Sequence, residues 1–359
     1  MLTGNKGEWS EIYTLLKIIA DKNLFAGDSD LNKIENLIFP IIKVLRDESN
    51  GTYQYSYDSN LVVITGNEEE FKISINEFRE KAAFLLSKLK ESTSSTFSIP
   101  QVENFINSFS CVSLKAKSSV KSDIRVVIHD QRTGTTPELG FSIKSQLGKP
   151  STLFNSSQGS NFIYKIKNVD FTDIEAEEIN SIDTRSKIQD RVKALINKGA
   201  TLTFVQNEGE IFQNNLTLID SLLPNILSEL LTIFSSTPLN KLGELVDEIE
   251  RRNPLDFDTR NNHKFYSYKV KRLLSDIALG MVPTTVWTGT LDATGGYLVV
   301  KDDGEILCYH IYNRNDFEEY LLSNTKIINP SSTRLKFGKV YKDNEAYYIK
   351  LNLQIRFIK

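Results

Sequence analysis

The chain has 359 residues, 40% of them hydrophobic and 25% charged, which is typical of a folded globular protein of about two domains and not of a disordered chain. The formal net charge of −3 argues mildly against nucleic acid as a partner, although a local basic surface can bind nucleic acid whatever the average charge. With only two cysteines, Cys111 and Cys308, the sequence has no disulfide framework and no Cys/His pattern for zinc.

The N-terminal segment, residues 1–95, is predicted to be mainly helical. It contains no signal peptide, and no apolar run of about 20 residues occurs in the chain, so we expect a cytoplasmic protein without membrane contact. Apolar residues recur at helical spacing in three stretches, the second of which contains Pro40. The predicted elements are helices over 9–19, 31–41 and 75–91 and a hairpin with strands near 53–57 and 61–65.

After a polar run at 91–96, short β-rich runs alternate with helical patterns. Two of these runs, 123–129 and 139–144, flank a turn-rich connection and are predicted to pair antiparallel. The Asp302-Asp303-Gly304 segment has the composition of a hairpin turn. The other predicted elements are helices over 102–109, 184–198 and 215–234 and strands over 162–169, 202–205, 285–290, 297–301, 306–312 and 347–357.

The paired runs between 123 and 144 carry the most informative residues. Side chains two positions apart leave a strand on the same face, so Ser142, Lys144 and Gln146 are predicted to share one face. Asp123 precedes Ser142 by 19 positions. The arrangement is typical of PD-(D/E)xK nucleases, which place an Asp on one strand and an acid and a Lys, two residues apart, on the next.

These residue types fit metal-assisted hydrolysis of a phosphodiester. Carboxylate oxygens bind a hard cation such as Mg²⁺ and leave positions open for water and phosphate. A lysine can orient the attacking water and stabilise charge on phosphate oxygens. We therefore expect Asp123 to bind Mg²⁺, Lys144 to orient the water, and Ser142 or Gln146 to support the phosphate. Ser142, however, stands where the nuclease class has Asp or Glu.

The missing carboxylate is expected to come from elsewhere in the chain. A projection at about 100° per residue places Glu8 roughly 60°, and Glu11 roughly 120°, from the centre of the first helix's apolar stripe. A carboxylate on a buried flank is costly unless it is paired or bound to metal, so Glu8 is the predicted second metal ligand. Two alternatives stay open: Glu8 could serve only the helix dipole, and Glu138 could be the ligand instead.

Basic and amide side chains in three places are candidates for DNA contacts. They form a cluster near Asp123, a polar loop over 155–161 and a basic, aromatic stretch over 260–272. A solvated surface explains each group as well. The candidate DNA-binding residues are Arg125, Arg132, Gln158, Asn161, Lys264, Lys269 and Arg272.

Several strings, spread over nearly the whole chain, resemble the HpaII family of type II restriction endonucleases. In chain order they are GNKGEWSEIY at 4–13, KSDI at 121–124, LGFSIKSQLG at 139–148, HIYNR at 310–314 and KLNLQIRF at 350–357. The family pattern carries Ser at position 142, so the departure noted above is from the wider nuclease class. Asp123 and Lys144 are accordingly carried over as catalytic residues.

The resemblance implies an α+β fold with a PD-(D/E)xK-like core, a mixed sheet flanked by helices. It implies Mg²⁺-dependent cleavage of both strands of duplex DNA at a short palindrome, which is CCGG for the family's namesake, and a cognate DNA methyltransferase in a bacterial cytoplasm. Because a palindrome is two-fold symmetric, we expect a homodimer on DNA, with a monomer that nicks each strand in turn as the alternative.

The expected division is a mainly helical segment at 1–95, a nuclease core at 96–235 and a β-rich DNA-binding segment at 236–359. Two other functions compete with this interpretation. A catalytically inactive, sequence-specific DNA-binding protein would explain the missing acid at position 142. A nuclease of DNA repair or RNA processing would lack site preference.

Overall fold

The chain forms a mixed α+β structure, which confirms the α+β class, while the PD-(D/E)xK-like core stays a prediction. The computed structural model describes residues 1–116, 122–131 and 133–359. Contacts divide the chain into a first unit, Met1–Ser151 with Leu291–Tyr320 and Lys359, and a second unit, Thr152–Thr290 with Leu321–Ile358.

Both units contain helices and strands. The helices are α1 Lys6–Asp21, α2 Ile75–Glu91, α3 Pro100–Asn107, α4 Asp173–Ser181, α5 Lys187–Asn197, α6 Glu210–Ile219, α7 Leu223–Ser236, α8 Leu242–Arg252, α9 Phe265–Leu279, α10 Arg314–Ser323 and α11 Ser332–Leu335. The strands are β1 Asn23–Gly27, β2 Lys33–Glu48, β3 Gly51–Asp58, β4 Leu61–Gly66, β5 Glu69–Ser74, β6 Ile124–Ile128, β7 Glu138–Ser145, β8 Thr152–Phe154, β9 Asn161–Lys167, β10 Thr201–Asn207, β11 Gly296–Val300, β12 Ile306–His310, β13 Thr325–Ile327, β14 Val340–Asp343, β15 Ala346–Asn352 and β16 Ile355–Phe357.

The first unit is organised around one large mixed sheet. Its described strands run in the order β1-β12-β11-β7-β6-β2-β3-β4-β5. β7 pairs antiparallel with β6 and parallel with β11, so it lies in the interior of the sheet. Helix α1 packs against α2 and β7 and buries Trp9, Ile12 and Leu16 completely. Burial of three such side chains contributes several kcal/mol of transfer free energy, at about 1.5–3 kcal/mol each, which anchors α1 on the sheet.

The second unit contains two smaller antiparallel sheets. Their strand orders are β10-β9-β15-β14 and β13-β16-β8. Helix α7 is the core helix of this unit, since its apolar residues on several sides, among them Ile226, Leu230 and Ile233, are buried. Helix α5 packs against α7, and α8 packs between α7 and α9.

Most predicted elements are confirmed. The helix over 75–91, the hairpin of β3 and β4, and the antiparallel pair of β6 and β7 are present as expected. The turn at 302–304 joins β11 to β12. Predicted helices near 9–19, 102–109 and 184–198 correspond to α1, α3 and α5, and predicted strands near 162–169 and 202–205 correspond to β9 and β10.

The helix predicted over 31–41 is wrong, and the first 95 residues are not mainly helical. The segment 33–48 is strand β2, and five strands lie between α1 and α2. Pro40 disfavours a helix interior, whereas a strand tolerates it where the pairing is irregular. The β2–β6 register shifts between Ile41 and Lys43, next to Pro40, and the carbonyl of Pro40 accepts a hydrogen bond from the His129 amide.

Three further boundaries differ from prediction. The long helix over 215–234 is two helices, α6 and α7, bent by 108°. Pro224 starts the second of them, and the Asp220 carboxylate accepts a hydrogen bond from the Leu222 amide in the break. Residues 285–290 form no strand, and 347–357 is two strands, β15 and β16.

The contact units cross the expected boundaries at 95 and 235. The assignment of functional roles to three consecutive segments stays a prediction. Among the described residues, no single helix is long and apolar enough to cross a membrane. Helices α6 and α7 meet that criterion only when taken together as a bent pair, on length and composition alone.

Candidate active site

Asp123, just before β6, and Ser142, in the middle of β7, face each other on neighbouring strands. The antiparallel register pairs Ile124 with Phe141, which places Asp123, just before β6, opposite Ser142 on β7. The Asp123 amide donates a hydrogen bond to the Phe141 carbonyl over 2.9 Å. In return, Oδ2 of Asp123 accepts hydrogen bonds from the Ile143 amide over 2.7 Å and from the Ser142 hydroxyl over 3.1 Å. The carboxylate is therefore held on β7 by two donors.

Lys144 lies on the same face of β7 as Ser142, as predicted from their spacing. Its Nζ donates a hydrogen bond to the Ser142 hydroxyl over 3.1 Å and lies 4.8 Å from the centre of the Tyr297 ring. Tyr297 reaches this position because β11 runs parallel to β7 with Tyr297 beside Ser142. Burial lowers the pKa of Lys144, and the negative charges of Asp123 and Glu11 partly oppose that effect.

Glu11, on α1, is the second carboxylate whose negative charge acts on Lys144. One of its carboxylate oxygens, Oε2, is buried and has no hydrogen-bond partner among the described residues. Burial, followed by the negative charge of Asp123, raises the pKa of Glu11 to about 8, although Arg46, a hydrogen bond from the Ala116 amide and Lys115 act in the opposite direction. Glu11 therefore shares an electrostatic environment with both Asp123 and Lys144.

Glu8 has a different set of contacts. It closes a capping box at the start of α1, in which its Oε2 accepts from the Asn5 amide over 2.7 Å and the Asn5 side chain accepts from the Glu8 amide. Its Oε1 forms a 2.7 Å ion pair with Lys115. Burial opposes ionisation of Glu8, but the hydrogen bonds from Lys115 and Asn5 hold its pKa below the ordinary value.

The helix projection ordered these two acids wrongly. It placed Glu8 nearer than Glu11 to the buried side of α1, yet Glu11 has the buried, unpartnered oxygen and Glu8 is satisfied by a cap and a lysine. A projection from α1 alone could not include the loop before Asp123, which supplies Lys115 and the Ala116 amide. Glu138, the other alternative, is exposed and forms an ion pair with Arg125.

The donor set fits a hard divalent cation. A buried carboxylate oxygen without a hydrogen-bond partner costs free energy, and a bound cation would remove that cost. Within the described residues no group of three or more His, Cys, Asp and Glu is arranged to hold a metal. Asp123 and Glu11 would therefore be the protein carboxylates, and other ligand positions would be left for water and phosphate oxygens.

A cavity of about 780 Å³ opens beside these groups, within the first unit. Glu8, Glu11 and Lys115 line it together with Lys6 and Lys149 and with backbone from the end of β7. The cavity is large enough for a sugar-phosphate segment, and the lysines would attract a polyanion to the edge where the carboxylates lie. Asp123 and Lys144 are not among the residues that line this cavity. Glu11 lines it and also interacts electrostatically with Asp123.

A buried ionic network supports the loop that precedes Asp123. Arg46 on β2 forms a 3.1 Å ion pair with Glu48, and both side chains are almost fully buried. The Arg46 guanidinium also donates to the Cys111 sulfur and to the Ser113 carbonyl, and the Ser113 hydroxyl donates to Glu48 over 2.6 Å. No motif spacing points to this network, because its members come from β2 and a distant loop.

Comparison with known proteins decides the family. The family model described as HpaII restriction endonuclease matches residues 5–357. The chain belongs to the HpaII restriction endonuclease family. It is 49% identical over 361 residues to a protein of Haemophilus parainfluenzae named type II restriction enzyme HpaII, and the match covers 99% of each chain. No solved structure matches the chain significantly.

Membership of the HpaII family confirms the resemblance and the predicted class of activity, site-specific cleavage of DNA. DNA is thereby the substrate, and type II restriction endonucleases generally need a divalent metal ion. The two competing functions, an inactive DNA-binding protein and a nuclease without site preference, have no comparable support.

Several of the residues predicted to contact DNA form ion pairs or hydrogen bonds with other residues of the chain. Arg125 pairs with Asp47 and Glu138. Asn161 is fully buried, and its amide donates to Glu208 and to the Leu335 carbonyl. A buried, hydrogen-bonded amide is placed to hold the fold and not to reach DNA, which corrects the expectation for Asn161 in this structure.

The other predicted contacts are placed as follows. Gln158 is exposed and donates to Glu208 over 2.9 Å. Lys264 is exposed just before α9, whereas Lys269 on α9 pairs with Asp220. Arg272 is half-buried on the same helix. Gln146 is also half-buried, and its backbone amide donates a hydrogen bond to the Val300 carbonyl. Arg132 lies outside the described residues.

Proposed function

We propose that this restriction endonuclease requires Mg²⁺ and cuts both strands of DNA at the palindrome CCGG. The observation that carries the metal requirement is the buried, unpartnered oxygen of Glu11 in the electrostatic field of Asp123 and Lys144. The 49% identity with a protein named type II restriction enzyme HpaII supports the same site preference. A few side chains can change base readout, so the exact palindrome is the part of the proposal that most needs a direct test.

In this proposal Asp123 and Glu11 are the metal-binding carboxylates. Glu11 replaces Glu8, the metal ligand predicted from sequence, because the Glu8 carboxylate already accepts from the Asn5 amide and pairs with Lys115. The antiparallel pair of β6 and β7, with Asp123 opposite the Ser142-x-Lys144 unit, supports a PD-(D/E)xK-like core. The acid that the wider class carries at position 142 would then be supplied from α1.

The protein residues would divide the chemistry between them. Asp123 and Glu11 would hold the Mg²⁺, which would supply Lewis-acid activation of the scissile phosphate and of the attacking water. The Lys144 ammonium, with Asp123 near it, would donate a hydrogen bond to the attacking water or to a phosphate oxygen. The Ser142 hydroxyl, which bonds to both Asp123 and Lys144, would hold their relative positions. Gln146, near the end of β7, would support the phosphate, as predicted from sequence.

Three further parts of the proposal follow from the palindromic target. A two-fold symmetric site is most simply cut by a homodimer with one active site for each strand. A cognate DNA methyltransferase would protect the same sequence in the host genome. Both proteins would then act in the bacterial cytoplasm, where the DNA is.

The test is digestion of a plasmid of known sequence, followed by mapping of the fragment ends. Discrete fragments that end within CCGG, with Mg²⁺ and not with EDTA, would support the proposal. Discrete ends at another sequence would overturn the site preference alone. A smear would favour the nuclease without site preference, and DNA binding without cleavage would favour the inactive module. The Asp123→Asn protein is the matched control for contaminating nucleases.

A further inference from the structure

The second unit contains a basic pocket that the catalytic proposal does not use. It has a volume of about 730 Å³ and is bordered by α5, the segment around α11, and β15. The cations that line it are Lys187, Arg191, Lys336, Lys339 and Lys350, and hydroxyl groups of Ser332, Thr333 and Tyr341 lie among them. We call this the basic pocket.

The positive charge of the basic pocket is only partly neutralised. Lys187 pairs with Asp183 over 2.7 Å, and Lys350 pairs with Glu208 over 2.8 Å. Lys336 and Lys339 are exposed and form no ion pair with a described residue. Five cations and one carboxylate, Asp183, line the basic pocket, so it has a local excess of positive charge in a chain whose formal net charge is −3.

Arg191 is the buried cation of the basic pocket and is fixed by hydrogen bonds to the backbone. Its side chain is only 4% exposed, and it donates hydrogen bonds to the backbone carbonyls of Asn180, Ile182 and Gly338 over 2.7–3.1 Å. The guanidinium forms no ion pair with a described carboxylate, but the negative charge of Asp183, which also lines the pocket, acts on both Arg191 and Lys339. Burial disfavours the charged form of Arg191 more than Asp183 favours it, and a phosphate at the pocket would offset that cost.

The backbone that carries Lys336 and Lys339 is fixed against α4 and α5. The Asn180 side chain donates to the Val340 carbonyl and accepts from the Val340 amide, each over 2.8 Å. Gly338 has φ +79°, and a Cβ there would meet Ile188 at 2.0 Å, so the turn approaches α5 only because it has a glycine. The two lysines are therefore presented from a rigid turn, which reduces the entropy lost on binding.

We propose that the basic pocket binds the sugar-phosphate backbone of duplex DNA. Exposed lysines around a buried arginine, with hydroxyl donors between them, are the groups that contact phosphates without reading bases. The proposal rests on the DNA-cleaving function above, and it assigns a DNA contact to residues other than those predicted from sequence. The contact strengthens binding to every DNA sequence by the same factor.

The test compares two double variants that remove the same charge. Lys336→Gln with Lys339→Gln alters the basic pocket, and Lys241→Gln with Lys342→Gln alters exposed lysines of the same unit outside it, which pair with Glu244 and Asp173. Binding to duplexes with and without CCGG is measured in EDTA by fluorescence anisotropy at several salt concentrations. All four lysines are exposed or half-exposed, so thermal unfolding should be little changed in both proteins.

The pocket variant should bind both duplexes at least tenfold more weakly at low salt, and the slope of log affinity against log salt should fall by about 1.8 for two lost phosphate contacts. The control variant should bind within about threefold of the wild type. Equal affinities for the two variants would overturn the proposal. So would a pocket that binds inorganic pyrophosphate tightly while DNA affinity is insensitive to its lysines.

Cleavage assays separate this proposal from the catalytic one. The pocket variant should cut at the same positions with Mg²⁺, with a raised KM and a nearly unchanged kcat, because its substitutions lie outside the active site. If the wild type failed to cut with Mg²⁺, the catalytic proposal would fail, but the salt-dependent difference between the two double variants would still decide the role of the pocket.

Discussion

The backbone amide of Ile143 donates a 2.7 Å hydrogen bond to Oδ2 of Asp123 across the β6–β7 pair. This contact fixes the orientation of the carboxylate through main-chain geometry, so it does not depend on the flexible side chain of a neighbour. A hydrogen bond to a charged group contributes about 1.5–3 kcal/mol, and a side-chain substitution of Ile143 other than proline leaves this main-chain donor in place.

We predict that Asp123→Asn abolishes cleavage and leaves DNA affinity nearly normal. The amide keeps the size of the side chain and can still accept from Ile143, but it lacks the charge that binds a cation. Single-turnover cleavage should fall by more than a thousandfold, while binding to a CCGG duplex in EDTA stays within about threefold. Cutting at the wild-type rate would refute a catalytic role for Asp123.

Ionisation of Glu11 should weaken the metal-free protein. Its pKa is about 8 in the folded state and near 4.5 when unfolded, so the folded state binds more protons between these values. Stability of the metal-free protein should therefore fall as pH rises from about 4.5 to about 8. Above pH 8 the loss should reach roughly 1–3 kcal/mol, less than the full shift implies, because the site opens onto solvent.

The measurement is urea unfolding in EDTA at pH 6, 7, 8 and 9 for the wild type and Glu11→Gln. The variant should gain stability relative to the wild type as the pH increases, because the neutral amide has no charge to bury. Other titrating groups cancel in the difference between the two proteins. A difference that is constant with pH would contradict the burial of an ionisable Glu11.

Lys144→Ala should remove catalysis without removing the metal. The ammonium donates to the Ser142 hydroxyl and lies over the Tyr297 ring, so its loss removes the cation that the strand pair places beside Asp123. The cleavage rate should fall by about 10²–10³. Affinity for Mn²⁺ should be equal or higher, since one positive charge near Asp123 and Glu11 is gone. Weaker Mn²⁺ binding would show that Lys144 acts by shaping the metal site.

Sequence reasoning predicted that Asp123, Ser142 and Lys144 lie together because their relation is local to a strand pair. A two-residue spacing and an antiparallel register follow directly from strand geometry, and the structure keeps both. The proposed role of Glu11 could not be predicted in the same way, since Glu11 interacts with Lys115 and Ala116 in a loop far later in the chain. The strand β2 was missed for a related reason: its apolar spacing suited a helix, and only its partners on the sheet select the extended form.

Substitution of Arg46 should destabilise the fold and loosen the active site. Arg46→Met leaves Glu48 as a buried charge without its partner, which costs about 3–5 kcal/mol. The double variant Arg46→Met with Glu48→Met should recover part of that loss, because neither charge then remains. Urea unfolding of the single and double variants measures the loss of stability and its partial recovery. Equal stability of the single variant and the wild type would contradict a structural role for the pair.

The central claim, that Glu11 rather than Glu8 joins Asp123 in binding the cation, is tested most directly by Mn²⁺ titration followed by electron paramagnetic resonance. The proteins are the wild type, Glu11→Gln and the matched control Glu8→Gln, which loses the same charge from the same helix. At pH 8, Glu11→Gln should bind Mn²⁺ at least tenfold more weakly than the wild type, and Glu8→Gln should stay within about threefold. Loss of Mn²⁺ binding in Glu8→Gln, with normal binding in Glu11→Gln, would contradict it.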